Sequence, residues 1–377
     1  MMPTLDSGCL EQLFTGQSTD SFLSKHWPDH HLVFHGPLER LGALVELPEF
    51  AQLETLLGSY RDKVRIALPD KRDEHSSLQV DALTAAALHR NGMALILNGV
   101  ERFLPLVAEW LTELRLELGL PLECEPRSIV YATPAGAGNS PHFDANANFV
   151  VQLRGTKRWH VAPNRHVPHP TDRWAMNETG LSAELAGYVD APLPTQMPAD
   201  TEVIDLKPGS VLFVPRGYWH ATEADEDTLA INFTFGQPTW ADLVLVALRK
   251  RLLKDGEWRV LANDPSRVAE MLARLQSEVE RLDLPEVLEA LDEAPDYLLV
   301  PEGFLRVEDA KVLASLGAEE FEIEVDESLH ALLAWIGEQG SPFSSEDAAS
   351  HFPELASGLP GLLTTLESKG LLQRQRS

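Results

Sequence analysis

His142 and Asp144 stand two apart in the run Asn139-Ser-Pro-His-Phe-Asp144. On an extended chain, side chains two apart project from the same face, so this imidazole and carboxylate can grip one ion. A second imidazole, His220, lies 78 residues further on, at the end of Pro208-Gly-Ser-Val-Leu-Phe-Val-Pro-Arg-Gly-Tyr-Trp-His220. There a turn launches an apolar strand that ends in a Pro/Gly bend, and such a bend can aim a histidine back into a barrel. Two imidazoles and one carboxylate on one face leave the remaining metal positions open. That donor set suits non-haem Fe(II) with a chelating co-substrate and dioxygen. A lone His-x-Asp is weak evidence. The specificity comes from finding it in the right order with the Pro-Gly strand and the second histidine, inside the one β-rich part of the chain.

The elements that must position these residues lie between Ser128 and Phe235. Short β-rich runs appear there, separated by Pro and Gly: SIVYATP, NFVVQL, KRWHVAP, EVIDL, SVLFVP and LAINFTF. Short strands punctuated by turn signals predict a barrel or sandwich, and Arg154-Gly155-Thr156 reads as the tight turn of a hairpin. Strand parity points one of Lys157 and Arg158 inward. On residue type alone, Lys157 would be a solvated hairpin residue, and Asn232 reads as a satisfied core amide as readily as a site residue. A long interruption from Pro163 to about Thr201 holds Arg165, His166, His169, Arg173 and Trp174 and reads as a binding loop or a surface excursion.

The flanks are helical. Phe103, Leu106, Val107, Trp110, Leu111, Leu114 and Leu118 form a packing stripe before the β region. After Thr239 the helical period returns, with Asp264-Pro265 as an N-terminal signal and a stripe from Val268 to Leu282 that could pack on its own domain or on a second copy. The last sixty residues read as a strand at 321–325, three helices and a Leu-Leu-Gln-Arg-Gln segment, a winged-helix-like order. Ser344 and Asp347 have capping-box spacing. The expected division is 1–240 for the β core with its N-terminal helices, 241–315 for a helical module able to dimerise, and 316–377 for the winged-helix-like end.

Composition excludes several classes. With 44% hydrophobic residues in 377, the chain can bury a large core. Two cysteines make no disulfide framework, and no apolar run of membrane-spanning length or basic leader is present, so a cytoplasmic protein without membrane contact is expected. Lys plus Arg number 31 against 58 Asp plus Glu, a net charge of −27. That field repels polyphosphate and favours a basic partner, so direct nucleic-acid binding is not expected. Residues 326–377 carry seven acids against three bases, which points the terminal helices toward protein contact as well.

The run His142-Phe-Asp-Ala-Asn-Ala-Asn148-Phe-Val-Val-Gln-Leu-Arg-Gly155-Thr-Lys157-Arg158-Trp159, with the later Pro-Gly…Trp-His220 and Ile231-Asn232-Phe233, resembles the JmjC oxygenases. The nearest likeness is to bacterial ribosomal oxygenases and the asparaginyl hydroxylase of hypoxia-inducible factor. It is clear from about Ser128 to Phe235 and looser at Phe22-Leu-Ser-Lys-His-Trp-Pro28. The resemblance implies an α+β protein with a double-stranded β-helix (jelly-roll, cupin-like) core. It also implies Fe(II) on His142, Asp144 and His220, and 2-oxoglutarate as co-substrate with its distal carboxylate on Lys157. Asn148 and Asn232 match positions near metal and co-substrate, and Tyr131 and Asn139 are further candidates. The implied activity is hydroxylation of an amino-acid side chain in a protein or peptide, with a basic ribosomal protein as one such partner. Alternatives are a small-molecule or free amino-acid hydroxylase, an N-methyl demethylase, and a non-catalytic metal-binding cupin regulator. A homodimer is a further implication of the likeness.

Overall fold

The computed structural model describes residues 8–283 except 69–76, 121–123 and 125. Beyond 283 it describes 287, 296–299, 303–308, 311–316, 319–323, 325, 327–339, 343–355, 359, 362, 363, 366 and 371–375. The chain divides into one unit of residues 1–120 and 126–236 and another of 121–125 and 237–377.

The first unit holds thirteen strands among its described residues: β1 (Leu32–Phe34), β2 (Val64–Ala67), β3 (Ser77–Val80), β4 (Ala94–Asn98), β5 (Pro126–Thr133), β6 (Gly138–Phe143), β7 (Ala147–Arg154), β8 (Lys157–Ala162), β9 (Trp174–Ala175), β10 (Glu202–Leu206), β11 (Val211–Val214), β12 (Trp219–Ala224) and β13 (Thr228–Phe235). They form a large sheet in the order β1-β11-β7-β13-β5-β4-β2-β3 and a smaller one in the order β10-β8-β12-β6-β9. Every pairing in these two sheets is antiparallel.

Alternation along the strands gives the large sheet two different faces. One carries Phe149, Phe213 and Phe233, which N-terminal helices cover: Phe22, on the helix Thr19–Lys25, lies 5.8 Å from Phe149 and 5.2 Å from Phe213, and Trp110 stacks on Phe233 at 6.2 Å. Trp110 sits with Val107, Leu111 and Leu114 on the buried side of the helix Pro105–Glu117, the stripe expected from periodicity. The other face turns toward the small sheet. Val150, Leu212, Val214 and Ala230 from the large sheet pack there with Trp159, Val161, Ile204 and Leu206 from the small one. Two facing antiparallel sheets with an apolar floor and a polar upper end are the cupin-like arrangement expected.

Two sequence expectations need correction. Arg154-Gly155-Thr156 is not a hairpin turn. Strand β7 pairs with β11 and β13, whereas β8 pairs with β10 and β12, so the turn carries the chain from one sheet to the other. Gly155 is needed there because its φ is +65° and an added Cβ would lie 2.3 Å from the Asp227 carbonyl oxygen. The excursion 163–201 is not a bare loop either. It contributes β9 and the helix Ala183–Ala186, and its Val167, Trp174 and Leu185 form a small core with Phe143, Ala162 and Trp219 on the strands that carry the histidines.

In the second unit, the helix Trp240–Leu253 begins with a Thr239–Asp242 capping box. The helix Val268–Glu280 follows a 3-10 turn with Pro265 in its first position, capped by Asp264. The helical expectation for 241–315 fails from 296 onward. Residues 296–299, 303–308 and 311–316 are strands, the latter two paired with each other and continued by 319–323. The strand 372–375 pairs with 296–299, tying the chain's end to residues placed before the expected boundary at 316. The helices His330–Glu338 and Ser345–His351 bury Leu332, Leu333, Ile336 and Ala348 in a core with Leu305, Val312 and Leu363, and the Ser344–Asp347 capping box is present. Helical residues 359, 362, 363 and 366 fall where the third helix was expected, and the rest of that span lies outside the described residues. Among the described residues no helix is long and apolar enough to cross a membrane.

Candidate metal centre

His142 and His220 face each other across the antiparallel β6–β12 pair, with ring centroids 4.1 Å apart. Asp144 follows the end of β6, where its backbone carbonyl accepts the Gly217 N–H at 2.8 Å, and its carboxylate lies 3.5 Å from His220 Nε2. One ligand atom from each of the three lies within 4.8 Å of the others, the sole such cluster of histidine, cysteine and acidic groups among the described residues. Both imidazoles are oriented alike. His142 Nδ1 is 2.7 Å from the Ser140 carbonyl and His220 Nδ1 is 3.0 Å from the Tyr218 carbonyl. A carbonyl can only accept, so Nδ1 carries the proton in each ring and Nε2 keeps the lone pair that a metal needs.

The electrostatics agree with that role. Burial, then the neighbouring His220, pushes His142 down to about 3, so it is neutral at pH 7 and needs no deprotonation to bind a cation. Burial alone would raise Asp144. The close approach of His220 and the charges around the carboxyl, Arg173 among them, outweigh that and keep it below its ordinary range, hence anionic. Arg173 from the excursion contributes to this, with Nε 3.4 Å from Asp144 Oδ1. Two imidazole nitrogens and one carboxylate on a single face, with a cavity on the open side, fit a divalent iron that keeps sites for exchangeable ligands.

The cavity runs from these ligands between the sheets and is lined by Tyr131, Asn148, Lys157, Trp159 and Asn232 among others. Lys157, on β8, is 4% exposed, whereas the next residue, Arg158, points out and pairs with Asp205 at 2.8 Å. Parity therefore decides for the lysine. Its ammonium donates to Thr133 Oγ1 at 3.1 Å and lies 5.7 Å from the Tyr131 ring centre. Burial pushes it down to about 8, and no acid among the described residues offsets the cost. A buried cation without a counter-charge is costly, and a bound carboxylate would supply one. Asn148 Oδ1 accepts from Asn232 Nδ2 at 3.1 Å and from Thr234 Oγ1 at 2.9 Å. That leaves Asn232 Oδ1 and Trp159 Nε1 buried in the cavity wall without a partner among the described residues.

All six residues expected from the sequence thus meet in one cavity, together with Tyr131 and Asn139. Thr133, Trp159 and Arg173 were not assigned roles there. Thr133 could have been found, since it shares the parity of Tyr131 on β5. Arg173 carried no local signal, because its approach to Asp144 depends on how the excursion folds.

The JmjC domain model matches residues 109–243. The chain is 34% identical over 266 residues to the uncharacterized protein YxbC of Bacillus subtilis (strain 168), covering 69% of this chain and 81% of that one. It is 28% identical over 250 residues to ribosomal oxygenase 1 of Rattus norvegicus, covering 63% of this chain and 38% of that larger protein. Among solved structures it is similar to YcfD, a ribosomal oxygenase from Escherichia coli in complex with cobalt and 2-oxoglutarate, at a TM-score of 0.49 and 16% identity over 96% of this chain and 99% of that one. Identity across most of the Bacillus protein, and a JmjC match that contains the three metal ligands and the buried lysine, place this chain in the JmjC family of Fe(II)- and 2-oxoglutarate-dependent oxygenases.

Proposed function

We propose that this protein hydroxylates an amino-acid side chain in a protein or peptide, with His142, Asp144 and His220 holding the iron and Lys157 anchoring 2-oxoglutarate. The observation that carries this reading is a buried, uncompensated ammonium in the same cavity as a two-histidine, one-carboxylate cluster. When bound, the iron couples oxidative decarboxylation of 2-oxoglutarate, giving succinate and carbon dioxide, to insertion of one oxygen atom of O2 into a substrate C–H bond. The protein's part is positional. Ser140 and Tyr218 carbonyls fix the imidazoles, Lys157 and Thr133 fix the far end of the co-substrate, and the Asn148–Asn232–Thr234 network fixes the wall between them.

A ribosomal protein is the first substrate to try. Relatives named ribosomal oxygenases support this, and the net charge of −27 would attract a basic partner. Incubation of ribosomal proteins with enzyme, Fe(II) and 2-oxoglutarate should add the mass of one oxygen atom to one of them. Turnover on free amino acids with none on the panel would favour the small-molecule reading instead. A relative named as a bifunctional lysine-specific demethylase and histidyl-hydroxylase keeps N-methyl demethylation as a second reading, and formaldehyde release would mark it.

The second unit supports self-association. Leu245, Leu261 and Leu272 are 63%, 80% and 59% exposed, an apolar surface suited to a second copy. The helix order after 330, with few basic residues, supports a winged-helix-like end used for protein contact.

A further inference from the structure

The three metal ligands are not held in the same way. His142 and His220 stand on β6 and β12, whose ladder sets their backbones opposite each other. Asp144 follows the end of β6 and precedes β7, so it lies outside the ladder. Its main chain is held by the bend Pro215–Gly217 between β11 and β12, where the Gly217 N–H donates to the Asp144 carbonyl at 2.8 Å. Its carboxylate meets Arg173 Nε at 3.4 Å, and Arg173 also pairs with Glu178 at 3.1 Å.

That bend is fastened to the excursion. Arg216 Nε donates to the Pro170 carbonyl at 2.8 Å, and its Nη2 donates to the His169 carbonyl at 3.2 Å. Gly217, at φ +83°, packs so closely on the Pro170 ring that an added Cβ would lie 2.6 Å from Pro170 Cδ. His169 has φ +50°, the sole non-glycine residue at positive φ among the described residues. Such a backbone is costly and persists only where its surroundings hold it, and here the guanidinium fork takes the carbonyls of His169 and of the residue after it. The same segment runs on to a second ligand. Ala175, on β9, pairs with His142, and the Met176 N–H donates to the Pro141 carbonyl at 2.8 Å.

Resting on the metal-centre reading above, we propose that Arg216 is a positioning residue for the iron. By clamping His169 and Pro170 to the bend it fixes the Gly217 N–H, and through that bond the place of Asp144 beside His220. Arg216 does not line the cavity, so its effect on the metal passes through Asp144. Excursion and metal are then linked, and by reciprocity each stabilises the arrangement of the other.

The test is calorimetric binding of Mn(II) to the full-length apo-protein, at a temperature well below each variant's unfolding midpoint. Arg216→Met keeps an apolar stem and removes both donors. Its Mn(II) affinity should fall by about tenfold or more, the loss usual when a group that orients a metal ligand is removed. Arg216→Lys offers a point charge in place of the fork and should fall between Met and wild type. Hydrogen exchange adds a second readout: Mn(II) should slow exchange of the amides in 164–178 in wild type, and slow it less in metal-saturated Arg216→Met. A purely structural role would lower the midpoint and leave both readouts where they are. Equal Mn(II) affinity in wild type and Arg216→Met, or equal protection of the excursion in both, would overturn the proposal. If Arg216→Met does not fold, the lysine variant decides, and an affinity within twofold of wild type overturns it. A wild-type protein that binds no Mn(II) would overturn the metal-centre reading itself, and this proposal with it.

Discussion

Lys157 should make 2-oxoglutarate binding depend on pH above neutrality. Burial lowers its ammonium from 10.5 to about 8, a difference worth about 3 kcal/mol between the charged and neutral forms. Below pH 8 both folded and unfolded chains carry the charge, but only the folded one buries it, so the full penalty applies. As pH rises from 8 to 10.5 the folded chain gives up its proton first and the penalty fades. A bound carboxylate restores the charged form. Affinity for 2-oxoglutarate should therefore be flat from pH 6.5 to 8 and fall by about tenfold per unit above it, through one linked proton. Lys157→Met removes both the charge and the linkage. Its apo form should be about 2 kcal/mol more stable at pH 7, after losing the bond to Thr133. Its affinity for 2-oxoglutarate should fall by about 30-fold or more and no longer vary with pH. Anaerobic calorimetry on Mn(II)-loaded protein across pH 6.5 to 9.5 measures both. A wild-type curve that stays flat, or a Met variant that titrates in parallel with wild type, would refute the assignment of this lysine.

Asn148→Ala strips the acceptor from Asn232 and Thr234 in a buried wall, and should cost about 2–4 kcal/mol in urea unfolding. An unchanged midpoint would show that the network does not bear on stability. Gly155→Ala forces a side chain into a positive-φ turn against the Asp227 carbonyl and should cost more than about 1 kcal/mol, read as a lowered midpoint of thermal unfolding. The exposed apolar residues of the second unit predict a dimer by light scattering that the double substitution Leu261→Asp with Leu272→Asp dissociates. A monomeric wild type would remove that proposal.

What was legible in the sequence was local or periodic. His142 and Asp144 share a face because strand parity is fixed by spacing, and the Pro-Gly strand announced His220 without reference to its partner. Lys157 was separable from Arg158 by the same parity once the resemblance pointed to an anchor. Less legible was anything set by pairing between distant segments. A glycine at positive φ serves a hairpin and a sheet-to-sheet crossing equally well, so the turn at Gly155 could not reveal that β7 and β8 belong to different sheets. Arg173 sits 29 residues from Asp144 in sequence and reaches it only after the excursion packs Trp174 and Leu185 against Phe143 and Trp219. The strands at 303–308 and 311–316 fell inside the span expected to be helical, since Leu, Ala and Lys favour helices locally, whereas the buried Leu305, Val312 and Ala314 satisfy a core that forms with later helices.

The most direct test of the central claim is anaerobic titration of apo-protein with Fe(II) and then 2-oxoglutarate, followed by visible charge-transfer absorption. The account predicts a band that requires both additions, disappears in His142→Ala because one of three metal ligands is gone, and needs more 2-oxoglutarate in Lys157→Ala. A wild-type protein that gives no band, or a His142→Ala variant that gives the same band, would contradict it.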